Sequence, residues 1–241
     1  MPFNSKPRRI SALRLGHKPL ASARGPSHTT SNESLRSRLR HVYWIGGGSG
    51  AGKSTIAERL VNKYDLKLYS TDDNIREHGL RTPPDQRPFT CAFNEMEMDE
   101  RWLNRSPEIM LDTFHLFRGE CFDRIVEDLL EFPPDCPIVA EGFRLLPDRV
   151  RPLLDSTEQG IWLLPTPEFR RAAFESRGTL WTIAGKTSSP ERALQNILAR
   201  NGLFTERLRQ ETRRAGLPAI DVDPSVSEHT LVERVAKRFG L

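Results

Sequence analysis

The run Gly47-Gly48-Ser49-Gly50-Ala51-Gly52-Lys53-Ser54-Thr55 holds the most chemistry in this chain. It fits the phosphate-cradling pattern G-x-x-x-x-G-K-[S/T], with Gly47, Gly52, Lys53 and Ser54 at the fixed positions. Glycines let successive backbone N–H groups turn inward around an anion without Cβ clashes. Lys53 adds a positive charge over the β- and γ-phosphates of a nucleotide, and Ser54 offers a hydroxyl to Mg²⁺. A helix that starts at such a loop points its positive end at the same oxygens. The whole run is therefore expected to bind the nucleotide.

Phosphoryl transfer also needs charge neutralised and an acceptor hydroxyl positioned. Asp72 and Asp73 are the candidates to take the hydroxyl proton or to hold Mg²⁺. The sequence leaves open which of the two faces inward, and capping of the next helix is their alternative use. Glu141 ends an apolar run, where a charge is costly unless it meets a metal or a donor. With Ser54 it is expected to organise Mg²⁺; its alternative is to cap the next loop.

Arginines supply the remaining charge. Arg76, Arg118 and Arg144 are expected to touch the acceptor. Arg177, before Gly178, is expected at the nucleotide. Arg200, in Ala199-Arg200-Asn201-Gly202, is expected to match the charge of the transferring group. Both are placed at helix interruptions. The other arginines of this region, Arg170 among them, read as solvated, with a clamp on the transferring phosphoryl group as their alternative use. Asn62-Lys63-Tyr64-Asp65 spells the guanine-reading N-K-x-D, but it falls too soon after the glycine loop and is read as coincidence. The acidic patch Glu95 to Glu100 reads as a solvated face, with acceptor contact beside His115 as its alternative.

Five apolar, β-prone runs must position these groups. They are 41–45, 66–70, 138–142, 161–165 and 218–222. Helical spacing separates them. Ile56, Ala57, Leu60, Val61 and Tyr64 follow the loop, and 95–131 reads as two helices broken at Pro107. Residues 168–177, 190–214 and 228–239 are also helical, the first with Pro167 at its start and the last with Ser227 as N-cap. Short strands alternating with helices predict an α/β fold: a five-stranded parallel sheet covered by helices on both faces. Ligands gather at the carboxyl ends of such strands, where the glycine loop, Asp72/Asp73 and Glu141 all fall.

The chain has 241 residues and a net charge of +4. Residues 1–40 hold nine Lys/Arg against the single acid Glu33, which is +8 and leaves −4 for residues 41–241. The first 40 residues are expected to be a disordered basic tail and the rest one domain. An acidic body argues against a broad nucleic-acid surface. No apolar run reaches the length of a membrane span. Cys91, Cys121 and Cys136 lack any metal-ligand spacing, so a reducing, cytoplasmic setting is expected.

Gly47–Thr55, then Ser70-Thr71-Asp72-Asp73 with Arg76, then Val139-Ala140-Glu141-Gly142, resemble the nucleoside- and shikimate-kinase-like P-loop phosphotransferases. Similar layouts occur in 2-phosphoglycerate kinase-like proteins, chloramphenicol phosphotransferase, zeta toxins and the kinase domain of polynucleotide kinase. The chain is also similar to a group of bacterial P-loop proteins that carry Trp162-Leu163-Leu164-Pro165-Thr166-Pro167-Glu168-Phe169. The resemblance implies an adenylate-kinase-like sheet order, ATP and Mg²⁺ as donor, and a strand-two Asp as base. A small-molecule kinase is the leading expectation. An NTP-hydrolysing switch with a protein partner and a nucleic-acid end kinase or binding protein are the alternatives.

Overall fold

The computed structural model describes residues 28–241. Most of the expected basic tail lies outside the described residues, but its last part does not. Helix α1 (His28–Arg38) fills it, and Leu39 behind the helix is fully buried. That burial contributes roughly 2 kcal/mol. Arg36 adds a hydrogen bond from Nε to the Pro152 carbonyl at 2.9 Å. The packed chain therefore begins before residue 41. Composition hid this because α1 carries few apolar residues and is held by tertiary contacts.

The five strands are β1 (Val42–Gly47), β2 (Lys67–Ser70), β3 (Ile138–Glu141), β4 (Gly160–Pro165) and β5 (Ala219–Val222). They form one sheet in the order β2-β3-β1-β4-β5, and every pairing is parallel. This is the α/β class expected from the sequence. β1 sits at the centre, as a strand buried on both faces must.

Side chains alternate across that sheet with period two. Val42, Trp44, Ile138, Ala140, Trp162 and Leu164 face one core. Ile45, Val139, Ile161 and Leu163 face the other. The second core is closed by helix α2 (Lys53–Tyr64) and by the last helix, 228–239.

Between β2 and β3 the expected two helices are instead several short pieces. After α3 (Ile75–Arg81) come α4 (Pro88–Glu95), α5 (Met98–Trp102), α6 (Pro107–Thr113), a 3₁₀ turn (His115–Arg118) and α7 (Phe122–Leu130). Pro107 starts α6, and Gly119 and Cys121, both at positive φ, set off α7. Apolar periodicity alone does not show such interruptions.

The remaining α-helices are α8 (Pro147–Val150), α9 (Pro167–Ser176), α10 (Pro190–Ala215) and α11 (Glu228–Phe239). Thr166 caps α9 and Ser227 caps α11 through their side chains. A third apolar cluster joins Phe93, Trp102 and Met110 to Ala193, Leu194 and Ile197 of α10. It places the α4–α6 layer against the long helix. Among the described residues no helix is long and apolar enough to cross a membrane.

Candidate active site

The glycine loop runs from the end of β1 into α2. Gly47 pairs with Leu163 of β4 and has φ +137°; a Cβ there would sit 2.2 Å from the Leu163 carbonyl oxygen. Only glycine fits. Gly52, at φ +81°, is the N-cap of α2 and offers no side-chain cap. The first N–H groups of α2 therefore remain available to an anion. Lys53 lies curled over the loop, its Nζ donating to the Gly48 carbonyl at 2.9 Å. Burial lowers its pKa, while Glu141 and Asp72 hold the charge on.

β3 brings Glu141 beside that helix start. Glu141 is buried, and its Oε1 accepts from Ser54 Oγ at 3.1 Å. Its Oε2 has no partner among the described residues. Burial raises its pKa, and Lys53 opposes the rise. It does not cap the next loop, the alternative use left open for it.

Asp72 and Asp73 diverge after β2. Asp72 is half-buried, accepts from Thr71 Oγ1 at 3.2 Å, and shares the field of Lys53 and Arg144. Burial raises its pKa, and those two cations lower it. Asp73 is exposed. The N-cap of α3 is Asn74, so neither aspartate serves as that cap.

The expected arginines separate into three situations. Arg177 is exposed at the end of α9, before Gly178 at φ +64°, and lines a cavity with Gly52 and Thr55. Arg76 and Arg118 are exposed, and Arg118 lies over the Phe89 ring at 5.0 Å. Arg144 was expected to touch the acceptor directly but is 1% exposed. Its guanidinium donates to the Thr71 carbonyl and meets His78 Nδ1 at 3.0 Å. It holds the backbone that carries Asp72. Arg200 was expected at a helix interruption, yet α10 runs through Gly202 without a break. Its guanidinium is buried against Trp102, Phe114 and Phe117. Long-range packing decides this placement, and the local Asn-Gly signal does not.

Two groups escaped the sequence reading. Arg170, read as solvated, is 2% exposed and donates from Nε to the Ser49 carbonyl at 3.2 Å and from Nη2 to Thr205 Oγ1 at 2.6 Å. It ties the loop to α9 and α10. His78 is fully buried; its Nε2 meets Asp128 Oδ2 at 2.7 Å, and Asp128 also accepts from Tyr69 and Arg81. Polar residues on short helices give no sequence signal for such convergence. Asp99, from the acidic patch, accepts from Ser188 N at 2.7 Å and anchors the segment before α10.

A cavity of about 440 Å³ opens beside Gly52 and Thr55, walled by Phe169, Arg177, Val226 and Leu231. Among the described residues no cluster of three or more His, Cys, Asp or Glu could cage a metal by itself. Mg²⁺ commonly binds through one or two carboxylates, waters and substrate phosphates, and Ser54 with Glu141 fits that use.

No protein-family model and no curated protein matches the chain. Solved structures do. Deoxyadenosine kinase from M. mycoides with bound dATP is 13% identical with a TM-score of 0.44, over 83% of this chain and 100% of that one. The same kinase with the products dCMP and dCDP is 16% identical, TM-score 0.44, over 83% and 98%. An uncharacterized protein from Eubacterium ventriosum is 14% identical, TM-score 0.40, over 83% and 98%.

Proposed function

We propose that this chain is an ATP- and Mg²⁺-dependent phosphotransferase that moves the γ-phosphoryl group to a hydroxyl of a small molecule. One observation carries the reading. Lys53, the Ser54–Glu141 pair and Asp72 meet around the glycine loop at the carboxyl ends of three adjacent strands. The loop N–H groups and Lys53 hold the donor phosphates. The nucleoside lies in the cavity beside Gly52 and Thr55, with Arg177 at its wall. Bound Mg²⁺ would neutralise phosphate charge, held through Ser54 and the free oxygen of Glu141.

Asp72 takes the acceptor hydroxyl proton. Its burial makes it a better base than an ordinary aspartate, and the nearby Lys53 and Arg144 keep it ionised. The acceptor oxygen bonds to the γ-phosphorus as the bond to the bridging oxygen breaks, leaving ADP. Arg144 and Arg170 are positioning residues, for the Asp72 backbone and for the loop. The unit responsible is the packed chain from α1 to α11.

The test is transfer of label from γ-labelled ATP and Mg²⁺ across a panel of hydroxyl compounds, nucleic-acid 5′ ends included. A labelled product that vanishes in Lys53→Ala supports the reading. Labelled inorganic phosphate with no labelled acceptor would favour hydrolysis instead.

A further inference from the structure

A second cavity, of about 230 Å³, reaches the loop at Ser49, and Leu180, Ile183, Ile197, Arg200 and Asn201 are among its other lining residues. Arg200 is 5% exposed, and Asn201 Oδ1 accepts from its Nε at 3.3 Å and from its Nη2 at 2.9 Å. Its Nη1 has no partner among the described residues. Trp102, Phe114 and Phe117 face the guanidinium carbon at 4.9, 4.5 and 5.1 Å. Phe117 is itself stacked on Phe204 of α10 at 3.6 Å, which fixes this wall to the helix.

Three aromatic faces and one amide offset only part of the desolvation of a buried cation. Nothing anionic completes the balance. Among the described residues Arg101, Arg105, Arg144 and Arg200 form no ion pair with a carboxylate. His115, buried nearby with Nδ1 unpartnered, feels Arg144, Arg200 and Arg101 together. Burial first, then these three arginines, push it down to about 4. Arg200 is itself pushed down to about 9, by burial and then by Arg105. Asp72 and Asp128 face Arg144 and Glu100 faces Arg105, but the field at Arg200 is left unmatched, with a free donor at this cavity. An anion is the natural complement of such a field.

We propose that the cavity between Ser49 and Arg200 is an oxyanion site, and that its anion is a phosphate or carboxylate carried by the acceptor. The acceptor is then an anionic hydroxy compound, not a neutral one. The acceptor's place in this site rests on the kinase reading; the anion site itself stands on the geometry. The donor phosphates already have Lys53 and the loop amides. The apolar walls at Leu180, Ile183 and Ile197 suit the carbon body of a second molecule, not a polyphosphate chain.

The probe is inorganic phosphate, titrated into the full chain by calorimetry and thermal melting. Mg²⁺ and the β,γ-imido analogue of ATP are present at saturation. Phosphate is expected to bind with the analogue in place and to raise Tm. Arg200→Gln should weaken phosphate by about tenfold or more and leave analogue affinity unchanged. Without phosphate this variant should melt no lower than wild type, because it loses an uncompensated charge. Arg200→Lys keeps the charge without the planar fork and should fall between. Should the Gln variant fail to fold, Asn201→Ala, which releases the guanidinium from its holder, must weaken phosphate several-fold.

Equal phosphate affinity in wild type and in the Arg200→Gln or Asn201→Ala chain overturns the site. Binding of phosphate only when the analogue is absent puts the anion at the donor position and overturns the acceptor assignment. Failure of the wild-type chain to bind the analogue would count against the proposed function and not against this site, which the phosphate titration still reads.

Discussion

Replacing Arg170 should reverse the usual ranking of conservative and non-conservative changes. Its guanidinium is buried, unpaired with any carboxylate among the described residues, and forked between the Ser49 carbonyl at 3.2 Å and Thr205 Oγ1 at 2.6 Å. Arg170→Met leaves the Ser49 carbonyl without its donor, a loss of about 1–3 kcal/mol. Thr205 is not orphaned, since its hydroxyl still donates to the Asn201 carbonyl at 3.0 Å. Removing the buried cation recovers part of its desolvation, so a net loss of about 1 kcal/mol is expected. Arg170→Lys keeps the burial cost and loses the fork, and should cost about 3–4 kcal/mol. Both variants release Ser49 and should weaken the ATP analogue by about tenfold. Urea unfolding gives the stabilities and calorimetry gives the affinity. A lysine variant as stable as wild type, with unchanged analogue affinity, would refute the pinning role of this side chain.

Three further outcomes are expected. Lys53→Ala should abolish transfer while keeping the fold, because the one hydrogen bond lost is that to the Gly48 carbonyl, and Glu141 and Asp72 can take up protons once their cation is gone; full transfer activity in labelled-ATP assays would sink the phosphate-loop assignment. Asp72→Asn should lower kcat by about a hundredfold or more with analogue affinity kept, while Asp73→Asn, at an exposed position, should stay near wild type; steady-state kinetics that rank the two the other way contradict the assignment. Since His115 resists protonation in the folded state, its share of stability is complete above its ordinary 6.5 and drains as pH falls toward about 4. That share is on the order of 3 kcal/mol, so His115→Leu should show a shallower loss than wild type in urea melts between pH 7 and 4, and identical slopes would contradict it.

The sequence by itself determined the elements with strong local signals. The glycine loop is legible because phosphate chemistry fixes residue types at fixed spacing, and the structure supplies the strand, the turn and the helix it needs. The three inner strands are legible because doubly buried strands must be short apolar runs, and the alternation of all five with helices dictates a parallel sheet. α9 and α11 announce themselves through Pro167 and Ser227, whose effects are local. The broken helices between β2 and β3 were less legible, since interruptions at Gly119 and Cys121 leave the apolar spacing almost intact.

Tertiary structure decided which polar residues converge. Asp72 and Asp73 are equivalent in the sequence; the turn after β2 buries one and exposes the other. Arg144, Arg170 and Arg200 resemble the many solvated arginines of this chain until distant elements close over them. Arg170 meets Ser49 across 121 positions, and Glu141 meets Ser54 across 87. A cation's burial depends on what packs around it from elsewhere in the chain, and no local pattern of residues encodes that.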